Sequence, residues 1–232
     1  MPSRHELTQD MKNNQEYKSA ALDALKGGWP EAVVTAIVYF AVAAVCTAPS
    51  ALQGIGIGHV LLSPVLSLAA GGSTLILSLL FLAPLQVGYY NAFKRLHQEG
   101  DAGLVGNLFS QGFRNWGHIV LGQFLMGVFI FLWSLLLVVP GIVKAYSYAM
   151  TPYILVDRPE LSANEAISLS SKMMAGRKFD LFRLQLSFVG WMLLCVLTLG
   201  TGALFLSPYM MTAQAAFYQD VRADYEIKSA RF

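Results

Sequence analysis

The chain has 232 residues, of which 55% are hydrophobic and 13% are charged, and its formal net charge at pH 7 is +2. A soluble domain averages about 45–50% apolar and about 25% charged residues. This composition excludes a disordered chain, a coiled coil and a secreted disulfide scaffold. It also argues against a soluble enzyme, because too few charged residues exist to cover a water-exposed surface. The sequence therefore predicts an all-α integral membrane protein.

Apolar runs of nearly membrane-spanning length follow a polar segment at residues 1–28. A spanning helix needs about 20 mostly apolar residues to cross about 30 Å of hydrocarbon. Six runs approach that length: 29–48, 73–93, 116–139, 141–156, 184–203 and 204–219. We predict a polytopic transmembrane helical bundle with an amphipathic amino-terminal segment at 1–28, a single transmembrane domain at 29–220 and a tail at 221–232.

Tight turns separate two pairs of these runs. Val139-Pro140-Gly141 lies between the third and fourth, and Gly200-Thr201-Gly202 lies between the fifth and sixth. Proline and glycine interrupt helices, so we interpret the six spans as three hairpins. An aromatic residue after a basic or polar turn recurs at Trp29, Trp116 and Phe179, which suggests an internal repeat. The ordinary composition of membrane proteins favours the same residues, so this alternative stays open.

Lysine and arginine fall on one side of the six-span topology, with Lys144 as the exception. They lie before the first span, in the loops at 94–115 and 157–183, and after the sixth span. Cytoplasmic segments carry such an excess of positive charge, so we predict that both termini and both loops are cytoplasmic.

The segment at 49–72 contains an apolar piece that is only about half a span long. Pro64 interrupts it and Gly71-Gly72 ends it. A seventh span here would place the first basic cluster opposite the others. We therefore predict a re-entrant or interfacial segment on the outer side.

The cytoplasmic segments show helical spacing of apolar residues. Ser162 and Glu165 form a capping-box pattern at the start of one such segment. The apolar positions of the three segments are Leu7, Met11, Leu22 and Leu25; Leu104, Val105, Leu108, Phe109 and Phe113; and Ala166, Leu169 and Met173. Helices of this kind either lie in the membrane interface or pack on the cytoplasmic face of the bundle, and the periodicity is the same in both cases.

Four sequence segments carry a family resemblance. They are LKGGW at 25–29, WSLLLVVPGIVKAYSYAM at 133–150, EAISLSSKMMAGRK at 165–178 and LSFVGW at 186–191. Together they resemble a bacterial integral-membrane family of unknown function, number 975 in the domain-of-unknown-function series, over about residues 6 to 220. The resemblance implies a multi-pass protein of the bacterial inner membrane and supplies no catalytic residues.

Lys144 is the residue most out of place, because a cation at membrane depth is costly. It either extends outward to water and headgroups, or forms an anion site for a lipid phosphate or a carboxylate. Polar side chains at span depth either hydrogen-bond between helices or line a pocket fed by Lys144. The residues that we predict to bind a ligand are Lys144, Tyr146, Tyr148, Gln86 and Gln214.

Basic residues near the fifth span suggest contact with lipid headgroups. Arg177, Lys178 and Arg183 are clustered there. Each basic residue near an anionic surface contributes about 1 kcal/mol. The two cysteines, Cys46 and Cys195, are too far apart for a C-x-x-C motif, and the sequence predicts no metal site and no cofactor.

Motifs of ATP hydrolysis and of hydrolase catalysis are absent from the sequence. Our first hypothesis is therefore a non-catalytic membrane protein that binds lipid or a small anionic or amphiphilic ligand, or assists a membrane process. The second is a transporter or permease subunit, and the third is a lipid-acting enzyme. Expected partners are membrane lipids and other membrane proteins, and no nucleic acid.

Overall fold

The computed structural model describes residues 12–54, 64–100 and 103–230, and over these residues the chain is helical without strands. A five-residue π-helical segment, Ser78–Leu82, joins the α-helix that ends at Leu77 to the one that begins at Ala83. The twelve α-helices of the described ranges are α1 Asn14–Leu25, α2 Trp29–Gly54, α3 Pro64–Leu77, α4 Ala83–Glu99, α5 Leu104–Phe113, α6 Trp116–Leu136, α7 Val138–Tyr148, α8 Thr151–Asp157, α9 Ala163–Met173, α10 Lys178–Leu186, α11 Val189–Leu197 and α12 Ala203–Ser229.

Four stretches of the described chain, not six, are long and apolar enough to cross a membrane. They are Trp29–Ala51, Ala69–Glu99, Trp116–Leu136 and Lys178–Leu197. The prediction of six spans is therefore wrong by these criteria of length and composition. The four stretches leave many apolar side chains exposed, as is expected where lipid is the solvent.

The two missing spans fail for different reasons. The run at 141–156 is divided between α7 and α8, so neither helix has the length to span. The run at 204–219 belongs to α12, which continues through charged residues to Ser229. Its polar residues lower the hydropathy. Other helices also bury several residues of this run, including Thr212, Ala213, Ala216 and Phe217.

The larger apolar core surrounds α12 between Leu206 and Val221. It combines residues of α1, α8, α9, α10 and α12, with Tyr17, Tyr153, Phe188 and Phe217 among its largest members. A second core lies between α2, α4 and α5. There α5 approaches α4 so closely that a Cβ on Gly88 would overlap the Leu108 carbonyl oxygen, and only glycine allows this approach.

The amphipathic segments pack on the bundle. Helix α1 buries Tyr17, Ala21 and Leu25, whereas Leu22, another of its apolar positions, is 42% exposed. Leu7 and Met11 lie outside the described residues. Helix α9 begins with the predicted capping box, in which the Ser162 N–H donates to Glu165 Oε2 at 2.7 Å. These hydrogen bonds hold the pKa of the Glu165 carboxyl below its usual range.

The predicted outer segment is described only at its two ends. Helix α2 extends to Gly54, beyond the predicted end of the first span, and α3 begins at Pro64. Residues 55–63, with His59, lie outside the described residues. The re-entrant or interfacial placement of 49–72 therefore stays a prediction.

Candidate functional site

A cavity of about 180 Å³ lies among six helices, and four glutamines reach it. Gln86 and Tyr90 come from α4, Gln123 from α6 and Tyr148 from α7. We call this cavity the glutamine pocket, and its described lining is Gln86, Tyr90, Gln123, Met126, Ile130, Ala145, Tyr148, Ala149, Pro152, Gln185 and Gln214. The structure thus places three predicted residues, Gln86, Tyr148 and Gln214, in one site.

Two of the amides that line the glutamine pocket have no hydrogen-bond partner among the described residues. Gln123 is only 8% exposed, and neither it nor Gln214 makes a side-chain hydrogen bond to another described residue. An amide presents two N–H donors and a carbonyl acceptor, all of which can bind the polar groups of a ligand. These amides are therefore available to a molecule that enters the cavity.

The other two amides are held by tyrosines. Tyr146 donates a hydrogen bond from its hydroxyl to Gln185 Oε1 at 2.8 Å, which fixes the orientation of that amide. Gln86 Nε2 donates to the Tyr90 hydroxyl over a long 3.5 Å. Tyr146 thus acts on the glutamine pocket through Gln185, without belonging to the described lining.

Lys144 lies outside the described lining. Its ammonium is 4.5 Å from the centre of the Trp133 ring and 5.9 Å from that of Tyr148. Stacking on aromatic faces stabilises a cation without a carboxylate partner. The predicted cluster of five ligand-binding residues is therefore incomplete here, because Lys144 lies against Tyr148 and does not line the cavity.

A helix break adjoins the glutamine pocket, since Ala149 and Pro152 belong both to the lining and to the α7–α8 junction. Side chains from other helices bind the backbone at this junction. Ser170 Oγ donates to the Ser147 carbonyl at 2.9 Å and accepts from the Met150 N–H at 3.2 Å. Asn91 Nδ2 donates to the Pro152 carbonyl at 3.1 Å. Protein groups thus satisfy backbone polar atoms that the break leaves without helical partners.

The comparison with known families bears on the carboxyl-terminal part of this site. Residues 135–225 match the family model described as "Protein of unknown function (DUF975)". The predicted family resemblance is confirmed. Neither a curated protein nor a solved structure matches the chain. The DUF975 match contains Tyr148, Gln185 and Gln214, whereas Gln86 and Gln123 precede it.

The basic residues predicted to contact headgroups differ in their surroundings. Arg177 binds Asp224, with 2.9 Å between Arg177 Nη2 and Asp224 Oδ2. Lys178 is half-buried and Arg183 is exposed. Burial alone would raise the pKa of Asp224, but hydrogen bonds from Lys228 and Arg177 outweigh it and hold that pKa below its usual range. Arg177 therefore has a protein partner in the DUF975 segment.

The sequence does not predict a charged cluster that surrounds the buried Lys94. Lys94 Nζ and Asp157 Oδ1 form an ion pair, and their side chains are 5% and 13% exposed. The Tyr218 hydroxyl donates to Asp157 Oδ2 at 2.8 Å, and Arg222 Nη1 donates to the same oxygen at 3.1 Å. Arg222 also binds Glu226, with 2.9 Å between Nε and Oε1. We call these five residues the ion-pair cluster.

One sequence signal indicated part of this charged region. Arg222 with Glu226, and Asp224 with Lys228, stand four residues apart, which is the spacing of ion pairs on one helix face. That spacing predicts a helix beyond residue 220. It does not reveal Lys94 or Asp157, because each lies more than sixty residues away from its partner along the chain.

Proposed function

We propose that this protein is a non-catalytic integral membrane protein that binds a small amphiphile in the glutamine pocket. The observation that carries the proposal is Gln123, a buried amide without a described partner that faces a cavity between helices. Ligand pockets combine an apolar lining with a few polar groups that fix orientation. Met126, Ile130 and Pro152 supply the apolar part here.

The size of the glutamine pocket favours part of an amphiphile over a whole one. Pockets that enclose a whole drug-sized ligand commonly start at about 300 Å³. The glutamine pocket is smaller, at about 180 Å³. The polar head would enter the cavity, and the apolar chain would lie along the exposed apolar helix surfaces. As part of the same proposal, the protein lies in a bacterial inner membrane with both termini cytoplasmic.

Native mass spectrometry of the full-length protein extracted from its own membrane tests this proposal. Gln123→Leu removes the unpartnered amide, and Gln98→Leu makes the same change at an exposed position as a control. We expect a bound amphiphile on the unmodified protein and on Gln98→Leu, and its loss from Gln123→Leu. A bare protein in all three preparations would count against binding at this site.

A transporter or permease subunit is the second candidate, and the helix break at 149–150 favours it. Interrupted helices that line a cavity frame the substrate sites of many transporters. Reconstituted vesicles distinguish the two functions. Movement of a labelled amphiphile between leaflets that depends on Gln123 would support transport, whereas binding without movement would support the first proposal.

A further inference from the structure

We propose that the glutamine pocket selects an uncharged, hydroxyl-rich head, such as the glycerol of a monoacylglycerol, and rejects phosphate and ammonium heads. This inference rests on the proposed function and names the chemical class that the same site takes. It follows from which groups line the cavity, which groups lie outside it, and what each kind of head would leave unpaired.

The described lining contains four amides and two phenol hydroxyls, and none of these groups is ionised at neutral pH. An anion entering it would lose its hydration without gaining a counter-charge. Removing an ion from water costs several kcal/mol per ion in proteins, even after the surroundings relax. Neutral donors alone compensate only part of that cost, so a phosphate head is disfavoured.

Lys144 is the cation that the sequence predicts for this site, and it lies outside the lining that would need to supply that counter-charge. Its ammonium lies over the Trp133 ring at 4.5 Å and is farther, at 5.9 Å, from the ring of Tyr148. Because Tyr148 lines the cavity and Lys144 does not, a head inside the cavity meets the tyrosine.

A cationic head fails for the opposite reason. The amides of Gln123 and Gln214 each present two N–H donors, and an ammonium group has no acceptor for them. A hydroxyl both donates and accepts, so it satisfies the N–H and the carbonyl of the same amide. Several adjacent hydroxyls therefore match a ring of glutamines better than either kind of charge.

The volume of the glutamine pocket sets the size of the head. Each water molecule occupies about 30 Å³ in the liquid. The cavity measures about 180 Å³. Its volume therefore corresponds to about six waters, and a glycerol unit has a similar number of heavy atoms. The site thus has room for one small polyol unit.

Three lipids with one oleoyl chain test the inference on the full-length protein in detergent. Monooleoylglycerol is neutral, oleoyl lysophosphatidic acid adds a phosphate to the same glycerol, and oleoyl lysophosphatidylcholine adds a cation to that phosphate. Their relative affinities are measured by native mass spectrometry titration for the unmodified protein, Gln123→Leu, Gln98→Leu and Lys144→Met.

We expect monooleoylglycerol to bind at least tenfold more tightly than either charged lipid. Gln123→Leu should reduce that binding tenfold or more, while Gln98→Leu and Lys144→Met leave it unchanged. The ranking of the three lipids on the unmodified protein decides the question even if Gln123→Leu fails to fold.

The remaining outcomes are distinguishable. Preference for lysophosphatidic acid, lost in Lys144→Met, would overturn this inference and restore the anion site while leaving amphiphile binding in place. Equal or tighter binding of lysophosphatidylcholine would also overturn it. Failure of all three lipids to bind, together with a bare protein from the membrane, would overturn both this inference and the proposed function.

Discussion

The ion-pair cluster and the glutamine pocket adjoin the same short helix, α8, yet they differ in how many of their polar side chains have a partner among the described residues. At the end of α8, Asp157 accepts from Lys94, Tyr218 and Arg222, so each carboxylate oxygen has a partner. At its start, Pro152 borders a cavity where Gln123 has no described partner. Charged groups are paired in one region, and neutral groups are left available in the other.

From this difference we assign the ion-pair cluster to stabilising the fold and the glutamine pocket to binding a ligand. A buried pair is strongly destabilised when one member is removed, because the other charge remains without compensation. A buried amide that faces a cavity contributes little to folding and keeps its hydrogen-bonding capacity for a ligand. Tyr153 lies between the regions, with its ring 4.6 Å from that of Tyr218 and 5.7 Å from that of Tyr90.

The largest expected change in the free energy of unfolding follows a substitution at Asp157. Asp157→Asn leaves the Lys94 ammonium, whose side chain is 5% exposed, without its counter-charge. We expect the free energy of unfolding to fall by about 3–5 kcal/mol, measured by denaturant unfolding in detergent.

Asp23→Asn is the matched control, because Asp23 pairs with Lys26 at the surface and its side chain is 63% exposed. Its expected cost is below about 1 kcal/mol. Equal costs for the two variants would contradict the structural role given to the ion-pair cluster.

The next effect concerns pH. The pKa of Asp224 is lowered, so its stabilising contribution is fully present above its ordinary pKa of 3.8 and is lost as the pH falls through the lowered value. At neutral pH, Asp224→Asn should cost about 1.5–3 kcal/mol, the range for hydrogen bonds to charged groups. The difference in unfolding midpoint between the unmodified protein and this variant should shrink below about pH 4. If the difference in unfolding midpoint grew on acidification, the pKa of Asp224 would be raised in the folded protein and not lowered.

Unlike Asp157→Asn and Asp224→Asn, Gln123→Leu should not lower the free energy of unfolding. Replacing a partnerless buried amide by an apolar side chain of similar size is neutral or raises the free energy of unfolding by up to about 1 kcal/mol. Binding of monooleoylglycerol falls at the same time. Thermal unfolding without added lipid measures the change in the free energy of unfolding. A decrease of more than about 2 kcal/mol would show that Gln123 stabilises the fold, as the ion-pair cluster does.

The smallest effect is expected for Tyr146→Phe. It deletes the hydroxyl that donates to Gln185 Oε1 at 2.8 Å. We expect a loss of about 0.5–1 kcal/mol of stability and a weaker effect on binding than that of Gln123→Leu, since Gln185 can reorient. Binding that falls more than in Gln123→Leu would shift the centre of the glutamine pocket to Gln185.

The sequence predicts the all-α class, the apolar stretches and the capping box at Ser162 because each depends on neighbouring residues. It overcounts the spans because an apolar run does not show where a helix breaks or how far it continues: residues 141–156 are divided between α7 and α8, and the helix that holds 204–219 continues through charged residues to Ser229. The run at 204–219 is apolar enough to suggest a span, but its residues Ala213, Ala215 and Phe217 are buried against other helices.

The candidate site is predicted in part for the same reason. Gln86, Tyr148 and Gln214 stand out because they are polar within apolar runs. Gln185 is absent from the predicted set, although it lies at the start of a predicted span. The place of Lys144 beside Trp133 depends on the turn between α6 and α7. The pairing of Lys94 with Asp157 depends on long-range packing, which no local pattern encodes.

Photocrosslinking tests the central claim most directly. A monooleoylglycerol carrying a diazirine on its glycerol is bound to the full-length protein, and labelled peptides are identified by mass spectrometry. We predict labels on Met126, Ile130 and the residues around Pro152, all of which border the glutamine pocket. Labels confined to the exposed apolar surface of α11, at Leu193, Val196 and Leu197, would contradict the site.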